Sequence, residues 1–205
     1  DLKKASAQNK FTVISTFAGG GGSSTGYRLA GGKILCVNEF VGEARKTYKL
    51  NYPDTIIMPD DIKELTGKDF LETAGIKEGE LDILDGSPPC SAFSMCGTLG
   101  KSGSKHSDGW GKTKKYSTGK IVENIEDLFF EYIRVAKDIR PKVIIGENVA
   151  GLDAGEAKQK KNQIFKAFEE IGYEVSYKIL NSAYYGVPQS RRRLFFVAVR
   201  EDVLD

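Results

Sequence analysis

The sequence predicts an α/β fold with a mostly parallel sheet, and three observations carry that prediction. Short β-branched and aromatic runs alternate with helical stretches, a glycine cluster joins the first run to its helix, and the last two runs meet without a helix between them. In chain order, residues 11–16 (Phe-Thr-Val-Ile-Ser-Thr) and 33–38 (Lys-Ile-Leu-Cys-Val-Asn) read as buried strands. Residues 23–30 between them are long enough for a crossover helix that Gly31-Gly32 stops, which makes a right-handed βαβ unit. The alternation continues with helix 43–50, strand 55–58, helix 68–73, strand 81–84, helix 128–139 and strand 142–145. In 162–171, Ile164, Phe165, Phe168 and Ile171 share one face of an amphipathic cover helix. Residues 173–180 and 194–199 then read as an antiparallel pair that closes one sheet edge. Residues 95–120, with six Gly, six Lys and four Ser, hold too little apolar surface to order themselves. They read as a mobile loop, either a lid or an inert insertion.

With 205 residues, 40% of them hydrophobic and 28% charged, the chain is long and apolar enough for one packed domain, expected to span 1–205. A net charge of +2 neither demands nor excludes a polyanionic partner. No apolar run approaches the roughly 20 residues that cross a bilayer, and none precedes Phe11 as in a secretory signal, so no membrane contact and a cytoplasmic location are expected. The start at Asp1 suggests that residues were removed there. Cys36, Cys90, Cys96 and the single His106 show no metal-ligand spacing, so no metal is expected.

The residues suited to chemistry sit where strands end. Phe17-Ala18-Gly19-Gly20-Gly21-Gly22 follows the first strand, where glycines let a ligand approach the backbone, although a glycine-rich turn without a ligand also fits. Glu39 stands about twenty residues on, at the end of the second strand, where an acid accepts hydrogen bonds from ribose hydroxyls. Asp61, after the third strand, is placed to meet an adenine edge, so a nucleoside-containing cofactor is favoured. The segment Asp85-Gly86-Ser87-Pro88-Pro89-Cys90-Ser91-Ala92-Phe93-Ser94 puts a thiol on a proline-stiffened turn. An isolated Cys is more often a small buried hydrophobe; here the two prolines and the lack of apolar surroundings suggest a nucleophile acting as its thiolate. Glu147-Asn148-Val149 brings an acid to the same edge, with a helix cap or a solvated charge as the plainer reading. Gln189-Ser190-Arg191-Arg192-Arg193 is a basic cluster suited to phosphates, to bases, or simply to solvent.

In this order, the four segments resemble the FAGxGG, PCxxFS, ENV and QxRxR motifs of the cytosine-5 DNA methyltransferases, over nearly the whole chain. The resemblance implies the Rossmann-like fold of S-adenosylmethionine-dependent methyltransferases, with an antiparallel edge hairpin. It implies that Cys90 adds to C6 of cytosine, that Glu147 assists at N3, and that Arg191 and Arg193 hold the base and support the carboxylate. By the same resemblance S-adenosyl-L-methionine is the cofactor, met by Phe17, Ala18, Gly19, Gly21, Gly22, Glu39, Phe40, Asp61, Ile62, Pro89 and Leu128. The implied partner is double-stranded DNA with its target base flipped out, the 95–120 loop closing on phosphates through its lysines. Bacterial restriction-modification or phage DNA protection is the implied setting. A tRNA cytosine-5 methyltransferase of the same family and a non-catalytic DNA-binding regulatory subunit are the competing readings.

Two departures stand out. Ser15-Thr16 occupies the place where the family often has Asp-Leu, and Ile125 the place where an Arg is common. At Asp205 the chain stops where the family continues into a target recognition domain and a last pair of motifs. Sequence reading is therefore expected from a missing C-terminal region or from a separate subunit.

Overall fold

The computed structural model describes residues 2–89, 113–115, 121–123, 128–154 and 157–204, the two short central segments by backbone alone. Seven strands form one sheet: β1 (Phe11–Thr16), β2 (Gly32–Asn38), β3 (Ile56–Met58), β4 (Ile83–Gly86), β7 (Val143–Val149), β8 (Tyr173–Asn181) and β9 (Arg192–Arg200). Their order is β3-β2-β1-β4-β7-β9-β8. The first five in that order are parallel, while β9 runs antiparallel to both β7 and β8. Two further strands, β5 (Thr113–Lys115) and β6 (Ile121–Glu123), pair antiparallel in a separate hairpin.

The helices are α1 (Leu2–Ser6), α2 (Gly22–Leu29), α3 (Gly42–Asn51), α4 (Gly67–Ala74), α5 (Leu128–Ile139) and α6 (Ala157–Glu169). Side-chain alternation along β1 divides the core: Ile14 joins the large cluster built with α4, α5 and α6, whereas Val13 joins a smaller one with Ile34, Val37 and Tyr48. In the large cluster Tyr132 is fully buried, and its hydroxyl donates to Leu84 O at 2.9 Å and Ile145 O at 3.1 Å, tying β4 to β7. Gly146 is required in β7, because a Cβ there would lie 1.9 Å from the Phe196 ring. A capping box between Thr66 and Asp69 starts α4.

The α/β class, the parallel sheet and the antiparallel pair at its edge agree with expectation. Some bounds do not. β4 begins two residues later than the expected 81–84, since pairing with β1 starts at Ile83 opposite Val13. β7 continues past 145 to Val149 because β9 pairs with it as far as Val149 opposite Arg193. α6 starts at Ala157, five residues ahead of the expected 162. The expected structureless stretch 95–120 contains β5, and the rest of it lies outside the described residues.

Candidate active site

The chain runs from β1 outward through β2 and β3, then returns to place β4 on the other side of β1. Strand order reverses there, and in open α/β sheets ligands bind outside the carboxyl ends of the strands at that point. The 17–22 segment leaves β1 at this crevice and the 87–89 turn leaves β4 at it.

The glycine segment is held in an unusual path. Phe17, Gly19 and Gly21 all have positive φ, at 53°, 55° and 95°, a region that L side chains rarely adopt. Gly21 has a second reason to be glycine: a Cβ would lie 2.8 Å from the Tyr52 ring. The loop is anchored to β2 through Glu39, which is only 7% exposed. Glu39 Oε2 accepts from Gly19 N and Oε1 from Val41 N, both at 2.8 Å. Each oxygen keeps lone-pair capacity for another donor. Arg134 fixes the next wall by donating to Ile62 O and Leu65 O.

These walls enclose a cleft of about 160 Å³ lined by Phe17, Asn38, Glu39, Phe40, Val41, Asp61, Ile62, Ser87, Pro89 and Leu128. Seven of the eleven expected cofactor residues meet here. Ala18, Gly19 and Gly22 line a neighbouring cleft that continues over β4 to Glu147, while Gly21 lines neither and acts on the turn alone. Asn38, Val41 and Ser87 were not expected; as strand-end residues of neutral type they carry no signal of their own.

A nucleoside cofactor fits the donors present. Two acids, Glu39 and Asp61, and the apolar side chains of Phe17, Phe40, Ile62 and Leu128 share one cavity, which suits ribose hydroxyls, an amino edge and a flat ring.

The turn after β4 is pinned from two sides. Asn148 Nδ2 donates to Pro88 O at 3.1 Å, and Ser87 Oγ to Phe17 O at 3.4 Å. Cys90 itself lies outside the described residues. Beside the turn, β7 and β9 bring Glu147, Arg191 and Arg193 together: Arg193 Nε is 2.9 Å and Arg191 Nη2 3.6 Å from the same oxygen, Glu147 Oε1. All three line a cleft with Leu180, Ser182, Tyr185, Val187 and Phe195. Both ion pairs fall on Oε1, which leaves Oε2 capacity for a ligand proton.

One residue of this edge escaped the sequence reading altogether. Asp85, the third residue of β4, is 8% exposed and lines the cleft between the glycine segment and Glu147. Its signal, an acid directly after the apolar Ile83-Leu84 pair, was visible. Among the described residues, no group of three His, Cys, Asp or Glu is arranged to hold a metal ion, and no helix is long and apolar enough to cross a membrane.

Residues 11–204 match the family model for C-5 cytosine-specific DNA methylases. Among curated relatives, the type II methyltransferase M.NgoPII of Neisseria gonorrhoeae is 32% identical over 95% of this chain and 50% of its own length. M.FnuDI of Fusobacterium nucleatum is 35% identical over 93% and 47%. M.AquIA of Picosynechococcus is 33% identical over 92% and 71%. The chain thus spans about half the length of the first two. Among solved structures, the Dnmt2 methyltransferase of S. pombe superposes with a TM-score of 0.64 at 22% identity, covering 93% of this chain and 50% of the other, a likeness of fold.

Proposed function

Since the chain belongs to the C-5 cytosine-specific DNA methylase family, we propose that it carries the cofactor-binding and catalytic part of an enzyme that methylates C5 of cytosine in double-stranded DNA. The observation that carries the proposal is the Glu147, Arg191 and Arg193 cluster beside the pinned Pro88-Pro89 turn, which opens on the other side to the Glu39 cleft. S-adenosyl-L-methionine, when bound, supplies an electrophilic methyl group. Phe17, Phe40, Ile62, Pro89 and Leu128 would enclose it, with Glu39 toward its ribose and Asp61 toward its adenine.

The chain's own residues do the rest. Cys90, as thiolate, bonds to C6 of the flipped cytosine and pushes electron density onto C5. Glu147 holds the proton at N3 as charge develops there, and Arg193 and Arg191 keep its carboxylate in place. After methyl transfer, a base takes the C5 proton, the C–H electrons restore the ring double bond, and the Cys90 sulfur leaves as thiolate. Relatives named type II methyltransferases support a role in restriction-modification, and phage DNA protection stays within the same proposal. Target recognition would come from a further region or a separate subunit, and the enzyme would work in the cytoplasm.

The test is a covalent trap. The full protein, incubated with S-adenosylmethionine and duplex DNA containing 5-fluorocytosine, should form an adduct that mass spectrometry places on Cys90, and Cys90→Ser should form none. Cofactor binding without an adduct on DNA, or an adduct on tRNA alone, overturns the proposal.

A further inference from the structure

Asp85 is a buried carboxylate with no positive partner among the described residues. Its Oδ2 accepts from Ser15 Oγ at 2.6 Å and Ser23 Oγ at 2.8 Å, and its Oδ1 from Tyr27 Oη at 3.0 Å. Burial is expensive for a charge, and three hydroxyls are weaker compensation than an ion pair.

What the carboxylate connects explains why the cost is borne. Ser23 and Tyr27 lie on the first two turns of α2, the helix that the glycine segment enters directly. Asp85 lies two residues before Ser87, on the strand that leads into the Pro88-Pro89 turn. One side chain therefore sets the spacing between the two walls of the crevice. Ser15 is its register partner on β1. Neighbouring strands lie about 4.8 Å apart, so a carboxylate at either position reaches the same hydroxyls.

We infer that Asp85 is a positioning residue for the cofactor, supplying from β4 the carboxylate that ties β1 to α2. It holds α2 and the glycine segment at the height that the cofactor needs above the β4 turn. The inference rests on the cofactor reading given above.

The experiment measures S-adenosylmethionine affinity by calorimetry, together with the thermal midpoint, in the full protein and in Asp85→Ser, Tyr27→Phe and the exchange Ser15→Asp/Asp85→Ser. Losing the shared acceptor should weaken cofactor binding by about tenfold in D85S, the scale set by an unsatisfied buried hydrogen-bonding group. Y27F, which removes one donor and folds more readily, should weaken it by about threefold. The exchange should bring affinity back to within about threefold of the parent, a recovery that simple loss of packing does not give. A D85S protein that folds and binds as the parent does overturns the inference. An exchange variant that regains its thermal midpoint without regaining affinity also overturns it, and this arm decides the matter where D85S does not fold. A parent protein that binds no S-adenosylmethionine sinks the cofactor reading itself, and the inference with it.

Discussion

Asp82 directly precedes β4 and Asp85 is its third residue, and they are held in opposite ways at opposite edges of the sheet. At the amino edge, Asp82 pairs with Lys142 at 2.7 Å and accepts from Thr12 N at 2.8 Å and Thr12 Oγ1 at 2.9 Å. Burial acts to raise its pKa, but the Lys142 ammonium and the Thr12 donors outweigh it and leave the group below the ordinary carboxylate value. At the carboxyl edge, burial raises Asp85 by more than the hydroxyls of Ser15, Ser23 and Tyr27 lower it. Glu147 belongs to this second edge too, with its two arginines on one oxygen. The amino edge is arranged to hold the strands together, and the carboxyl edge keeps its carboxylates on the walls of the clefts.

The sharpest way to break this contrast is to disturb the carboxyl edge without unfolding it. Glu147→Gln preserves shape and removes the proton-carrying group, so kcat should fall by about 10²- to 10⁴-fold, the span of a general acid-base contribution. Arg193→Ala should cost more than Arg191→Ala, because Arg193 Nε is 2.9 Å from the carboxylate against 3.6 Å for Arg191 Nη2. Steady-state methyl transfer with circular dichroism as the folding control checks both. Equal effects from the two arginines, or an E147Q enzyme that keeps its kcat, would mean that the cluster is only an edge ion pair.

Much of this layout was legible in the sequence because local patterns carry it. β1 and α5 have the expected bounds, since a β-branched run ending in glycines and a strongly amphipathic stretch are self-contained signals. The motif resemblance put Arg191 and Arg193 beside the Glu147 carboxylate, and the three do meet. What stayed hidden depends on partners far along the chain. The extension of β7 to Val149 needs β9, and Asn148 is tied to a backbone carbonyl, Pro88 O, that no side-chain pattern announces. Asp85 drew no reading beyond its place at the start of the segment that carries Cys90; its contacts appear only when Ser15, Ser23 and Tyr27 converge on it from 58 to 70 residues away.

The amino edge should respond in stability and not in rate. Asp82→Asn keeps the shape but weakens the bonds to Lys142 and Thr12, so the folded state should lose about 1 kcal/mol, the usual net worth of such hydrogen bonds at a partly exposed site. Urea unfolding measures that loss, and kcat at saturating substrates should stay within about twofold of the parent. A D82N enzyme with a large rate defect would erase the division between the two edges.

The smallest effect separates the two aspartates by sign. For Asp82 the folded pKa lies below the ordinary 3.8, so its contribution is present above the unfolded value and is lost as pH falls through the folded one. For Asp85 the folded pKa lies above 3.8, so the folded state takes up its proton first. Its contribution is complete below the unfolded pKa and fades as pH rises through the folded one. On acidification from neutral pH, protonation of Asp85 should therefore offset part of the stability loss before protonation of Asp82 adds to it. Urea midpoints measured across mildly to strongly acidic pH should show this as a shallow shoulder that Asp85→Asn removes and Asp82→Asn leaves in place. D82N should instead flatten the steep decline at the acid end. If D85N leaves the shoulder intact, the carboxyl-edge carboxylate is not the group that titrates there, and the cost assigned to holding it without a cation is wrong.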